Sequence, residues 1–120
     1  MKKSIILTAC LAMLVTLASA QIKTPQPSPT AKVSQEVGLS KVDLEYSRPS
    51  AKGRKIFGDL VPFGNVWRTG ANSATLVTFS DEVTIGGKKV PAGKYGLLSI
   101  PNKDSWTLII SKQLDVTSPA

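Results

Sequence analysis

The chain has 120 residues, with 15 Lys and Arg against 8 Asp and Glu, no His and a single Cys. Without histidine, neither a Ser-His-Asp nor a Cys-His nucleophile system can be assembled, and zinc ligation by His and Cys goes with them. The eight acids are dispersed and no loop has the alternating Asp/Asn spacing of a calcium site, so neither a metal nor a cofactor is expected.

At the N-terminus, Lys2 and Lys3 precede an apolar run from Ile5 to Leu17 that ends in Ala18-Ser19-Ala20. This is the pattern of a signal peptide over residues 1–20, cleaved after Ala20, and it predicts a periplasmic or secreted protein. The run falls short of the roughly 20 apolar residues a membrane-spanning helix needs, and no later stretch comes closer. Leu7-Thr8-Ala9-Cys10 has the residue types of a lipoprotein signal, but cleavage before Cys10 would leave only Ser4 to Ala9 as the apolar region, shorter than about seven residues. Cleavage after Ala20 also removes the one cysteine, so the mature chain of 100 residues has no disulfide and must hold together by its core.

Gln21 to Thr30 carries Pro25, Pro27 and Pro29 at alternate positions, which fixes φ and removes amide donors, so this stretch reads as an extended tether. A single domain is expected over residues 31–120. Val33, Gln35 and Val37, a turn near Gly38-Leu39-Ser40, then Val42, Leu44 and Tyr46 in alternation with charged and polar residues predict a half-buried hairpin. Alternation resumes at Thr75 with Val77 and Phe79 on one face. Asp81-Glu82 turns the chain into Val83-Thr84-Ile85, and Gly86-Gly87 has the chemistry of a two-residue hairpin turn before Lys88 to Val90. Pro91-Ala92-Gly93 turns again, Lys94 to Ile100 alternates, and Pro101-Asn102-Lys103-Asp104 is a further turn. The run Ser105 to Ser111 sets Trp106, Leu108 and Ile110 on one side and Ile109 on the other, which predicts a central strand.

Short strands at regular intervals with turn residues between them, and no helical periodicity after the leader, predict an all-β, antiparallel β-sandwich or partly open barrel of about six or seven strands. Beyond Lys112 the periodicity stops and leaves an edge without a visible partner: either the chain is truncated at its C-terminal side or the fold closes without that partner.

Between the two sets of strands lies Tyr46 to Asn72, without a clean period and with five cations, Arg48, Lys52, Arg54, Lys55 and Arg68, against Asp59. Removing the leader lowers the net charge from +7 to +5, so this segment carries almost all of the excess. It also carries Ile56, Phe57, Leu60, Val61, Phe63 and Trp67, more large apolar groups than a solvated loop needs. One reading is structural, with these groups capping an open end of the sheet and the cations snorkelling around them. The functional reading is compatible with it: the apolar groups anchor the segment while Arg48, Lys52, Arg54, Trp67, Arg68 and Asn72 line a surface for an anionic or carbohydrate ligand, by guanidinium forks and an indole face.

Two apparent motifs fail on inspection. Gly53-Arg54-Lys55-Ile56-Phe57-Gly58 has the glycine separation of a phosphate loop, but Asp59 and Leu60 follow where Lys and Ser or Thr are required. Asp43 and Glu45 have the spacing of a glycosidase pair, yet alternate acids on the wet face of a hairpin are ordinary.

The segment from Tyr46 onward resembles a known family through Tyr46-Ser47-Arg48-Pro49-Ser50, Lys52-Gly53-Arg54, Ile56-Phe57-Gly58, Val66-Trp67-Arg68-Thr69-Gly70-Ala71-Asn72 and Pro91-Ala92-Gly93-Lys94-Tyr95. It is similar, from about Pro25 to the C-terminus, to the exported bacterial proteins grouped as domain of unknown function 2911. The resemblance implies an all-β domain behind a signal peptide in Gram-negative bacteria, sometimes within longer chains that carry helical repeats, and members that extend further on the C-terminal side. It implies no catalytic residue.

Three functions remain open from the sequence. The first is an exported module that binds an anionic or glycan ligand, or a partner protein, through the basic crossover. The second is an enzyme independent of His and Cys, with Lys52 or Lys55 as base and arginines at an oxyanion. The third is an assembly role in which the C-terminal edge pairs with another chain. Nucleic acid is not an expected partner, because aromatic residues are too sparse in the crossover for a single-strand platform.

Overall fold

The computed structural model describes residues 22–116; the signal-peptide reading over residues 1–20, with Cys10 and the cleavage after Ala20, lies outside the described residues. Among the described residues seven strands form: β1 (Thr30–Val37), β2 (Ser40–Ser47), β3 (Thr75–Phe79), β4 (Val83–Ile85), β5 (Lys88–Val90), β6 (Gly93–Pro101) and β7 (Trp106–Ser111). No helix occurs among the described residues, and none there is long and apolar enough to cross a membrane. Over the described residues the fold is all-β, with antiparallel sheets.

Turn chemistry sets the registers. Val37 faces Ser40 across a two-residue turn in which Gly38 takes a φ of 63°. Ile85 faces Lys88, and Gly86 and Gly87 both adopt positive φ, 55° and 76°, as a tight hairpin between right-twisted strands requires.

Five strands pair in the order β1-β2-β3-β6-β7, while β4 and β5 form a separate ribbon. The sheet is open at β1 and at β7, which rules out a closed barrel and leaves a sandwich-like layering. Directly paired residues share a face. Leu44, Val77 and Tyr95 therefore lie on one side, together with Val42, Phe79, Leu97 and Ile110. Val77, Phe79 and Tyr95 are the buried centre of that side, and Val83 and Val90 of the ribbon pack on them. Tyr95 keeps its hydroxyl satisfied by donating to the Pro91 carbonyl at 2.8 Å. The ribbon thus covers one end of this face, and the crossover from β2 to β3 covers the other.

One expectation is overturned. The strand Trp106–Ser111 stands at the edge of the sheet beyond β6, and β3 holds the centre. Its apolar groups on both sides imitate a central strand because the chain after it folds back. The Gln113 carbonyl lies where a Cβ on Gly96 would stand, 2.5 Å away, and the Val116 carbonyl accepts the Ala74 amide at 2.8 Å. That tail runs across the face that Ile109 shares with Gly96 and Leu98.

Candidate functional site

The crossover is a folded structure built from backbone turns. At its start the Arg48 amide donates to the Pro29 carbonyl at 2.9 Å, which fastens the end of the tether to the end of β2. Lys52 and Gly53 follow in left-handed conformation, with φ of 51° and 71°. The reversal lets the Arg54 side chain brace the turn from inside: Nε donates to the Ala51 carbonyl at 2.9 Å and Nη2 to the Ser50 carbonyl at 2.8 Å. A guanidinium has five N–H donors, so about three remain beyond these two bonds.

Residues 56–61 close a second turn, with the Val61 amide donating to Ile56 at 2.8 Å and the Gly58 amide to Val61 at 2.9 Å. Gly58 has a φ of 84°, and the Phe63 ring occupies the space a Cβ there would need, at 2.6 Å. Phe63 is thereby seated on the turn. The chain then joins the sheet, because Trp67 and Ser99 exchange both backbone bonds, at 2.7 and 2.9 Å. This pairing continues along β6 the column that β3 occupies further on.

Between Trp67 and β3 the chain leaves the sheet and returns, for the Thr75 amide donates to the Arg68 carbonyl at 3.1 Å. Two residues of the excursion, Thr69 at φ 58° and Asn72 at φ 61°, sit in the left-handed region. For a β-branched threonine this is a strained conformation, held only where surrounding bonds impose it. They do so here: Thr69 Oγ1 and Ser99 Oγ are 2.9 Å apart, and Thr75 Oγ1 donates to the Thr69 carbonyl at 2.8 Å. Gly70 packs close to β2, with the Ser47 carbonyl 3.3 Å from where its Cβ would be.

These turns line an open cleft of about 650 Å³. Phe57, Leu60, Val61 and Trp67 supply apolar wall, and Arg54 and Arg68 supply charge. Ser28 of the tether, with Ser50 and Ala51, also lines it. The size lies within the range of small-molecule sites, about 300–1,000 Å³.

Of the six residues expected to form a site, three meet in this cleft: Arg54, Trp67 and Arg68. Arg48, Lys52 and Asn72 are exposed and do not line it. Asn72 turns toward β2 instead, its Nδ2 donating to Ser47 Oγ at 3.4 Å. Lys55 is likewise exposed, and neither lysine considered as a base lines the cleft. Asp43 and Glu45 pair with Lys41 at 3.3 Å and Lys32 at 3.2 Å. A hydrogen bond from the Ser34 side chain, followed by the bond and charge of Lys41, holds the Asp43 carboxyl below its ordinary value, the wrong direction for a general acid.

Trp106 was not among the expected site residues. It closes a triad with Phe57 and Trp67, ring centroids 4.9 and 6.2 Å from it, and Phe57 stands 5.9 Å from Trp67, all edge to face. The signal was its face: Trp106 pairs with Pro101 on the side of the sheet that carries Ser99, and hence Trp67.

Residues 28–119 match the family model described as Protein of unknown function (DUF2911). No curated protein and no solved structure matches the chain.

Proposed function

Since the chain belongs to the DUF2911 family, whose description carries no activity, we propose from the geometry that the protein is a binding module whose crossover cleft takes a small anionic amphiphile, a molecule with an apolar body and a carboxylate, sulfate or phosphate group. The observation that carries this reading is the meeting of Arg54 and Arg68 with Phe57 and Trp67 in one cleft of about 650 Å³. Arginine forks recognise oxyanions, and they gain most where apolar walls exclude water. A free glycan fits less well, because hydroxyls need more polar partners than these walls supply. The rigidity of Arg54, braced by two carbonyls, favours binding because little side-chain freedom remains to be lost.

The leader pattern of Lys2, Lys3, Ile5 to Leu17 and Ala18-Ser19-Ala20 supports export as the setting, periplasmic or secreted. Intact mass of the protein recovered from its host should then correspond to a chain starting at Gln21.

The test of binding uses 8-anilinonaphthalene-1-sulfonate, which has an aromatic body and one sulfonate. Its fluorescence titration should saturate and weaken with salt. Replacing Arg54 and Arg68 together by Gln should raise Kd by about tenfold or more, the loss of one or two charge-assisted bonds. Unchanged affinity in a variant that retains its β spectrum would discard the anion site.

A second reading, pairing with another chain, is favoured by one contrast. The outer strand β1 carries Lys32 and Glu36, whereas β7 has no charged residue between Trp106 and Ser111 to discourage strand addition.

A further inference from the structure

The end of the sheet that holds the cleft is unusually apolar for an exposed surface, and Phe57 and Leu60 belong to both the cleft wall and this surface. Phe57 is 42% exposed, Leu60 53%, Phe63 37%, Trp106 45% and Leu108 59%. Apolar residues scattered singly over a surface need no explanation, but these are joined. Phe57 touches Trp106, and Phe63 is seated on Gly58 beside it. The Leu60 amide closes the same turn onto the Lys55 carbonyl at 3.4 Å. Leu108 lies two residues beyond Trp106 on the same face.

Cations share the turns that carry the group. Arg54 and Lys55 immediately precede the Phe57 turn, Lys52 stands before them, and Lys103 sits in the β6–β7 turn. That turn abuts the crossover, since the Gly64 amide donates to the Pro101 carbonyl at 3.0 Å. Asp59 and Asp104 are the acids in the same two turns, so the collar remains net positive.

We infer that this end of the molecule docks on an anionic lipid surface, with Phe57, Leu60, Phe63, Trp106 and Leu108 entering the headgroup boundary and Arg54, Lys55 and Lys103 against the acidic headgroups. Amphipathic indole rings suit that boundary, and a basic collar adds attraction that an uncharged bilayer cannot offer. Charge also separates this occupant from a second copy of the chain. Two copies meeting through the same end would bring two positive collars together, whereas acidic headgroups neutralise one.

The chain supplies its own reporter, because its two tryptophans, Trp67 and Trp106, both belong to the triad. The chain starting at Gln21, free of the apolar leader, is mixed with phosphatidylcholine vesicles with or without phosphatidylglycerol. Tryptophan emission and co-sedimentation are then followed at rising salt. The expected result is a blue shift and partition that require phosphatidylglycerol and fade with salt. A Leu60→Ser, Leu108→Ser variant touches two exposed side chains and should keep its fold. It should partition about tenfold more weakly or worse, and Lys55→Gln with Lys103→Gln should weaken partition in parallel. The inference is overturned if no partition occurs with phosphatidylglycerol, or if the double serine variant partitions as well as the parent. It is equally overturned if the emission shift follows protein concentration without vesicles, since a second copy then covers the patch.

Discussion

The strained excursion between Trp67 and β3 makes the sharpest prediction, because one of the two bonds that hold it is a half-buried pair of hydroxyls. Thr69 Oγ1 lies 2.9 Å from Ser99 Oγ, and Ser99 is 0% exposed. Holding a β-branched residue at φ 58° costs about 1–2 kcal/mol relative to a relaxed backbone, so the pair must more than offset that cost for the loop to persist. Thr69→Val keeps shape and strain but deletes the hydroxyl. Ser99 then has no water to turn to, and the loss should be about 1–3 kcal/mol. Ser99→Ala should cost less, because the Thr69 hydroxyl is only half-buried and has the Trp67 carbonyl at 3.4 Å as a second acceptor. Removing both hydroxyls leaves no orphaned group, so the double variant should be more stable than the sum of the single losses predicts, by about 1 kcal/mol. Urea unfolding of the four proteins measures this coupling, which corresponds to about 4–8 °C in Tm for a domain of this size. Additive losses, within about 0.5 kcal/mol, would refute the claim that the hydroxyl pair holds the loop.

Two further perturbations follow from other parts of the fold. Gly96→Ala would drive a Cβ to 2.5 Å from the Gln113 carbonyl, so the tail must lift off the sheet and release the Ala74 bond to Val116; a loss of about 1–3 kcal/mol is expected, with faster amide exchange at Ala74, and unchanged exchange there would count against the tail's role. Asp43 and Asp81 are both held below the ordinary carboxylate value, chiefly by side-chain hydrogen bonds from Ser34 and Ser80 respectively. A depressed folded pKa contributes stability that is complete above the unfolded value, about 4, and is lost as pH falls through the folded one. Tm should therefore decline on acidification below about pH 4, and Asp43→Asn with Asp81→Asn should flatten that acid limb. Parallel limbs in parent and variant would show that other carboxylates dominate.

The strand succession was legible because its signals are local. Gly86-Gly87 fixes a two-residue turn whichever sheet its arms join, and the alternation of Val42, Leu44 and Val77, Phe79 marks one face correctly. Lateral position was not legible. A period of two reveals which side chains share a face, but whether a strand has one neighbour or two depends on pairings remote in sequence. The run Leu108-Ile109-Ile110 illustrates the limit. Apolar groups on both faces suggested two-sided burial at the centre of a sheet, yet β7 is an edge, with Leu108 exposed and the Ile109 face crossed by the tail after Lys112.

The site shows the same division between what is near in sequence and what is near in space. Arg54, Trp67 and Arg68 could be grouped from charge and aromatic content alone, and they do share the cleft. Asn72 could not be separated from Arg68, only four positions away, because the separation is made by left-handed backbone at Thr69 and at Asn72 itself, residues whose propensity argues against that conformation or only tolerates it. Trp106 lay in another element and entered the triad only through the register that sets Pro101 opposite it and Ser99 opposite Trp67. The cleft is therefore a product of register and strain together. β6 brings the two tryptophans to one face, and the forced turn at Thr69 folds Gly70 and Ala71 back as lining. It follows that substitutions at Thr69 or Ser99, neither of which lines the cleft, should alter affinity for an anionic probe as well as stability. Substitutions at Arg48 or Lys52, both charged and both nearer in sequence to the tether, should alter it little beyond their screened, long-range charge.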